Sequence, residues 1–282
     1  MIGVVIKKKA NAFWVACGDE VLICTAQKKL KENGIFVGDR VLFDSKQNQI
    51  LGLEKRKNKL LRPPVANIDC LIILVTTTPM ADFYLLDKLL LFCAQEGIMP
   101  IICHSKSDLG GIITKYIEEV YGKYFAVAIV SSKNGEGIEN LKQLANGKVC
   151  AFAGQSGVGK SALINALTNN AGAEVGELSA KIARGKNTTR HAELFKVAKN
   201  TFIADTAGFS SLDERFLKIG AEELAKYYPE FLQLLPRCKF STCTHTHEPD
   251  CAVLAAIKAG EIDSGRYERY KLIYETIKNN RF

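Results

Sequence analysis

The sequence predicts three structural units in series: a small β-barrel over residues 1–62, a mainly parallel α/β unit over 63–211, and a helical unit held by a metal over 212–282. Three observations carry this. Five short strand signals fit into the first sixty residues, separated by turns such as Gly18-Asp19 and Gly38-Asp39. From Ala66 onward, short apolar runs alternate with helical patterns, the signature of βαβ units. Near the end, Cys238, Cys243, His245 and Cys251 gather three thiols and an imidazole in one short segment.

The barrel strands are expected at 3–8, 12–17, 21–25, 40–44 and 49–54. An OB-fold fits this pattern best, with an SH3-like barrel as the alternative, and either can offer strands and loops to an oligonucleotide. Residues 1–60 hold twelve Lys/Arg against six Asp/Glu, so much of the chain's net charge of +8 sits in this first fifth. A solvated surface explains such a surplus; a face that neutralises nucleic-acid phosphates explains it as well. Phe13, Trp14 and Phe43 are read either as barrel core, the commoner fate of strand aromatics, or as base-stacking platforms.

Next comes a basic linker, residues 55–62, closed by Pro63-Pro64, which favours an extended hinge over a helix. Strands are then expected at 70–76, 100–103 and 126–130, with helices at 83–95 and 112–121 between them. In such a sheet, ligands bind at the C-terminal ends of the strands.

A phosphate-binding loop follows the apolar strand 149–153. Gly154-Gln155-Ser156-Gly157-Val158-Gly159-Lys160-Ser161 fits G-x-x-x-x-G-K-[ST] and leads, from Ala162, into a helical run. Backbone N–H groups of such a loop curl around phosphates, the lysine reaches the β- and γ-phosphates, and the serine is left for Mg²⁺. Upstream, Ser105-Lys106-Ser107-Asp108 resembles the Asn-Lys-x-Asp signature of GTPases. The carboxylate of Asp108 can accept from guanine N1–H and N2–H₂, a donor pair adenine lacks, and the Lys106 stem can lie along the base. Ser131-Ser132-Lys133, after the next strand, resembles the second guanine loop, whose backbone N–H meets O6. Downstream, Asp205-Thr206-Ala207-Gly208 fits D-x-x-G, and Arg184-Gly185-Lys186-Asn187-Thr188-Thr189-Arg190 suits a switch I with threonines for the Mg²⁺ shell. The motif order is therefore base, base, P-loop, switch I, switch II. An ordinary GTPase starts with the P-loop, so the central unit reads as a circularly permuted P-loop GTPase.

With these motifs the chain resembles the ribosome small-subunit-dependent GTPase A (RsgA) family over its whole length. The segment from Leu61 to Asp69, the Cys/His spacing and the tail Arg266-Tyr267-Glu268-Arg269-Tyr270 add to the likeness. The resemblance implies a GTPase stimulated by the small (30S) ribosomal subunit, acting late in its maturation and contacting 16S rRNA. It implies GTP/GDP with Mg²⁺ as ligands and one structural Zn²⁺. Lys160 would stabilise charge on the γ-phosphoryl group; Ser161, Asp205 and Thr189 or Thr188 would hold Mg²⁺; Gly208 would meet the γ-phosphate. His245 rather than His247 would be the zinc ligand.

The sequence departs from the family pattern at two places. Asn187 stands where the family usually keeps a water-positioning histidine, with His191 a weak substitute, and Phe209 follows the D-x-x-G motif where Ras-like proteins keep a glutamine. Slow unaided hydrolysis is expected. Ser105 replaces the asparagine that braces the base loop, so weaker nucleotide binding is expected, with guanine preference kept by Asp108.

Composition excludes other classes. A hydrophobic share of 47% with 24% charged residues suits a globular chain, and no apolar stretch approaches the roughly 20 residues that span a bilayer. The N-terminus places its lysines after a short apolar run, the reverse of a signal peptide. Cysteines outside the cluster lie mostly in apolar runs, which suits buried free thiols in a reducing cytoplasm. A monomer with no membrane partner is expected. The alternative function is a non-catalytic rRNA-binding scaffold that keeps GTP as a structural ligand. A metabolic P-loop kinase has no use for D-x-x-G plus two guanine loops.

Overall fold

The computed structural model describes residues 1–28, 30, 34–61, 64–168, 193–204, 212 and 217–279. Strands β1 (Ile2–Lys9), β2 (Ala12–Cys17), β3 (Glu20–Ala26), β4 (Arg40–Asp44) and β5 (Gln49–Leu53) close into a barrel in the order β1-β2-β3-β5-β4. All neighbours are antiparallel except β3 and β5. That Greek-key closure is the OB arrangement rather than the SH3-like one. Alternation drives it: Val5, Phe13, Val15, Val41, Phe43 and Ile50 point inward and form one buried cluster. Phe13 and Phe43 are therefore core, at 2% and 1% exposure. Trp14 faces outward opposite Ile23, with the Lys7 ammonium 5.6 Å from its ring.

The described residues of the linker do not form a free hinge. β6 (Lys59–Leu61) and β7 (Pro64–Ala66) form an antiparallel hairpin. Arg56 forks onto buried Asp39 at 2.6 and 2.8 Å and donates to the Gly34 carbonyl. The Asn58 amide closes a double hydrogen bond with the backbone of Ile68, and Asn67 donates to Gly38. Gly38, at φ +89°, sits so close that a β-carbon there would lie 2.0 Å from the Ala66 carbonyl. The barrel is thus pinned to the domain that follows. These contacts also account for much of its charge: Lys7 pairs with Glu193, Lys57 with Asp69, and Lys8 bonds to the Ile35 carbonyl. Lys9, Arg40, Lys46 and Lys55 remain exposed.

The central sheet contains β8 (Cys70–Val75), β9 (Met99–His104), β10 (Ala126–Ile129), β11 (Val149–Ala153), β12 (Leu194–Ala198) and β13 (Thr201–Ala204), in the order β10-β9-β8-β11-β13-β12. Only β12 runs antiparallel to its neighbour. All residues of β8 and β11 are buried, which is why these strands read as unbroken apolar runs. The helices are α1 (Phe83–Glu96), α2 (Ile112–Val120), α3 (Ile138–Ala145) and α4 (Lys160–Thr168). Leu71, Ile73 and Val75 pack toward α1 and α2, while Ile72 and Leu74 pack toward α3 and α4. Strand β11, which carries the P-loop, lies between β8, the first strand of the sheet in sequence, and β13, the last. The P-loop strand is thus central in the sheet although it comes fourth among its strands in sequence, with the first and last of its parallel strands on either side.

The C-terminal unit holds α5 (Ala252–Lys258) and α6 (Ser264–Asn279). The helix-like sequence at 221–235 does not form one helix but a 3₁₀ stretch, Ala221–Tyr227, followed by turns and a second short one, Leu235–Arg237. Pro229 explains the break: it pushes Tyr228 into extended backbone at φ −101°, ψ 104°. Tyr228, Phe231 and Tyr270 join the same core as α1 and α2, so this unit has no separate hydrophobic interior. No helix among the described residues is long and apolar enough to cross a membrane.

Candidate nucleotide site and metal centre

The two guanine-loop candidates and the P-loop meet at the C-terminal ends of β9, β10 and β11. Gly154, at φ +129°, opens the P-loop where a β-carbon would lie 2.4 Å from the Leu74 carbonyl, so the loop can leave β11 only over glycine. Val158 is buried and anchors the loop; Ser156 and Gly157 are exposed. Lys160 is the first residue of α4, so phosphates in this loop would face the helix N-terminus. Its ammonium donates to the Gly154 and Gln155 carbonyls, and burial pushes its pKa down. An arriving anion offers it a better partner. Ser161, one residue on, is exposed, and its hydroxyl is the hard oxygen that Mg²⁺ takes as a ligand. The Gln155 side chain accepts from the Asp82 amide and ties the loop to α1.

The base loop is tied to the P-loop by its own residues. Ser105, buried, donates from Oγ to the Val158 carbonyl at 2.6 Å. The bracing expected to weaken with serine is therefore made directly, by a short side chain whose backbone lies close. Lys106, at φ 58°, sends its ammonium to the Gly157 and Thr78 carbonyls at 2.7 and 2.9 Å, and its stem passes Gly159. Asp108 is exposed, ready to receive a ligand, and accepts from the buried Ser131 hydroxyl at 2.6 Å. That bond holds its carboxyl below the usual carboxylate range, so it stays an anion and an acceptor. The Ser131 hydroxyl also receives the Lys133 amide, and Ser107 donates to Glu136. Ser132 lies between, half-buried. Arg184, Gly185, Lys186, Asn187, Thr188, Thr189, Arg190 and His191, together with Asp205, Gly208 and Phe209, lie outside the described residues.

Two substitutions probe this geometry. Asp108→Ala is expected to reduce the preference for GTP over ATP by about 10–100-fold, the worth of hydrogen bonds to a charged acceptor. Ser105→Ala leaves the buried Val158 carbonyl without its donor and should weaken GDP binding by about tenfold, with guanine preference intact. Competition binding with both nucleotides reads both effects. Unchanged GDP affinity in Ser105→Ala would show that the brace does not serve the site.

The second cluster is a candidate metal site by its donors. The Sγ atoms of Cys238, Cys243 and Cys251 and a ring nitrogen of His245 all lie within 4.8 Å of one another. Cys238 Sγ is 3.9 Å from Cys251 Sγ and 3.6 Å from His245 Nδ1, which is 3.4 Å from Cys251 Sγ. Tetrahedral zinc with Zn–S bonds near 2.3 Å needs S···S edges of about 3.8 Å, so the residues present fit the ion. His245 adopts φ 59°, is buried against Phe231, and its carbonyl is held by Tyr267. Cys251 caps α5 through the Leu254 amide. His247 is exposed, bonded to Thr246, and outside the cluster.

The RsgA GTPase family model matches residues 53–215. The chain belongs to that family. A relative named Small ribosomal subunit biogenesis GTPase RsgA, from Bacillus cytotoxicus, is 39% identical over 291 residues, covering 99% of this chain and 98% of that protein. The protein of the same name from Ruminiclostridium cellulolyticum is 36% identical over 289 residues, with 99% and 94% covered. Among solved structures, YloQ, titled a circularly permuted GTPase, superposes with a TM-score of 0.81 at 30% identity over 100% of this chain and 96% of that one. YjeQ from Thermotoga maritima gives 0.80 at 32%, covering 98% of each chain. Permutation, barrel and GTP-hydrolysing class therefore stand for this RsgA-family chain.

Sequence reasoning missed the charges behind the site. Asp87 is fully buried and accepts from Arg266, Arg269 and Tyr121; Lys88, beside it, donates to the Leu212 carbonyl at 2.8 Å. A carboxylate and an ammonium inside the stripe Leu85-Leu86-Asp87-Lys88-Leu89-Leu90 were the signal.

Proposed function

We propose that this GTPase acts in biogenesis of the small ribosomal subunit, hydrolysing GTP to GDP and phosphate when it engages the subunit through 16S rRNA. The observation that carries the nucleotide assignment is the Ser105–Val158 hydrogen bond, which ties the candidate guanine loop to the candidate phosphate loop. Relatives bearing the small-subunit biogenesis name support the partner.

Catalysis in this reading is positioning and electrostatics. Lys160 leaves the Gly154 and Gln155 carbonyls for the β/γ-phosphate oxygens and stabilises charge that grows on the transferred group. The amides of Gly157, Val158, Gly159, Lys160 and Ser161, with Ala162 behind them, cradle the phosphates. Ser161, Asp205 and Thr189 would hold Mg²⁺, which would supply charge neutralisation to the nucleotide phosphates. Asn187 is the side chain assigned to the attacking water; it can orient the water and cannot carry its proton. Phe209 adds no polar group. Slow basal turnover and dependence on the ribosome follow. Zn²⁺ at Cys238, Cys243, His245 and Cys251 is structural: four protein ligands leave no position for substrate. The protein works as a cytoplasmic monomer, with no membrane partner.

Lys160→Ala is expected to lower turnover about 10²–10³-fold, as loss of one preorganised transition-state donor does elsewhere. The partner assignment has its own measurement. Phosphate release from GTP should rise on adding purified small subunits, and co-sedimentation should be tight with a non-hydrolysable GTP analogue and weak with GDP. Absence of stimulation, with equal sedimentation in both nucleotide states, would leave the non-catalytic scaffold as the better account.

A further inference from the structure

An open cavity of about 420 Å³ lies where the end of α2 meets the turn between α5 and α6, and none of its lining residues belongs to either site above. Its chemistry is unlike either. Glu230 reaches into it from a side chain only 6% exposed. One carboxylate oxygen, Oε1, accepts from Arg266 Nε at 2.6 Å. The other, Oε2, is buried with no hydrogen-bond partner among the described residues. A buried carboxylate oxygen without a donor is costly, and the charge it carries calls for a cationic one.

The remaining walls say which cation. Val120 and Ile262 are apolar, and Tyr124 adds an aromatic ring, 44% exposed, at the mouth. Burial first, and the Glu230 charge second, push the Tyr124 phenol up, so ring and carboxylate share the space. Glu119, Glu261 and Asp263 add acidic character at the rim. Arg266 is engaged by Asp87 and by Oε1 of Glu230, and Lys123 is exposed at the edge. A hydrated divalent ion has no use for aliphatic walls and an aromatic ring. An ammonium on a methylene chain uses all of them: the carboxylate as acceptor, the ring for cation–π attraction, the aliphatic walls for its stem.

The geometry points to a binding site for an alkylammonium group, supplied either by a free di- or polyamine or by a lysine side chain of a partner protein. It bridges the GTPase domain and the C-terminal unit, and so ties the presence of that amine to the packing between them.

The test is calorimetric titration of the full-length, GDP-bound, zinc-loaded protein at 150 mM NaCl with two probes: 1,5-diaminopentane and Nα-acetyl-lysine amide. Saturable one-to-one binding is expected for at least one, and which one binds identifies the source. Because Glu230→Gln also loosens Arg266, the deciding variants are Tyr124→Ala and Glu261→Gln, on exposed residues that take no part in the ion pairs of Arg266. Each should weaken the amine about tenfold and leave GDP affinity unchanged. No saturable binding of either probe would overturn the assignment. So would equal competition by Mg²⁺ at the same concentration, or binding indifferent to both variants.

Discussion

Cys243→Ser is expected to abolish stoichiometric zinc and to melt the C-terminal unit from Cys238 through α5. The scale is large because the segment has no hydrophobic core of its own and shares only one face with the main core. Structural zinc in small domains contributes on the order of 10 kcal/mol of folding free energy. Around the cluster the backbone is short turns, His245 sits at φ 59°, and the first turn of α5 is capped by a ligand sulfur. Remove one thiolate and those features lose their common anchor. Tyr267 and Tyr270 in α6 donate to the His245 and Thr244 carbonyls, so loosening should spread into the face of α6 that packs on the loop. Metal analysis and hydrogen exchange over residues 238–279 read the outcome. GDP binding should persist, because no residue of the nucleotide pocket lies in this segment. A variant that stays folded and protected there without metal would refute a structural role.

Asp87→Ala is the second large effect. The carboxylate is fully buried and is the common acceptor for Arg266, Arg269 (2.6 Å) and Tyr121 (2.7 Å). Truncation leaves two guanidinium groups facing a void, with Glu230 alone to balance Arg266. Breaking such a pair from one side costs about 3–5 kcal/mol, a large share of the 5–15 kcal/mol by which a domain is stable. A fall in melting temperature on the order of 10 °C follows, measurable by calorimetry. Asp87→Asn keeps an acceptor and should fall between the two. The neighbouring Lys88–Leu212 bond lies just beyond switch II, so Asp87→Ala should also reduce ribosome-stimulated turnover more than basal turnover. A variant with unchanged melting would mean the network contributes no net stability.

Much of this was legible in the chain because the chemistry is contiguous. A phosphate loop is made of its own backbone amides, so eight consecutive residues from Gly154 to Ser161 specify it. The base loop follows one strand directly, and three of the four metal donors lie within nine residues, Cys243 to Cys251. The barrel strands came from alternation, which depends only on which face each residue takes. The break at Pro229 is local too: the proline disfavours helical backbone at Tyr228 whatever the surrounding residues prefer.

Motif identity, motif order and hence permutation were determined by sequence alone, since each depends on neighbours along the chain. Tertiary structure decided the partners. Ser105 binds Val158 across 53 positions, Asp87 binds Arg266 across 179, and Arg56 turns inward to Asp39 instead of facing a nucleic acid. A charge carries no mark in the sequence of whether water or a distant side chain will neutralise it. Only the packing of α6 on α1, and of the linker on the barrel, settles which groups are buried and must be paired.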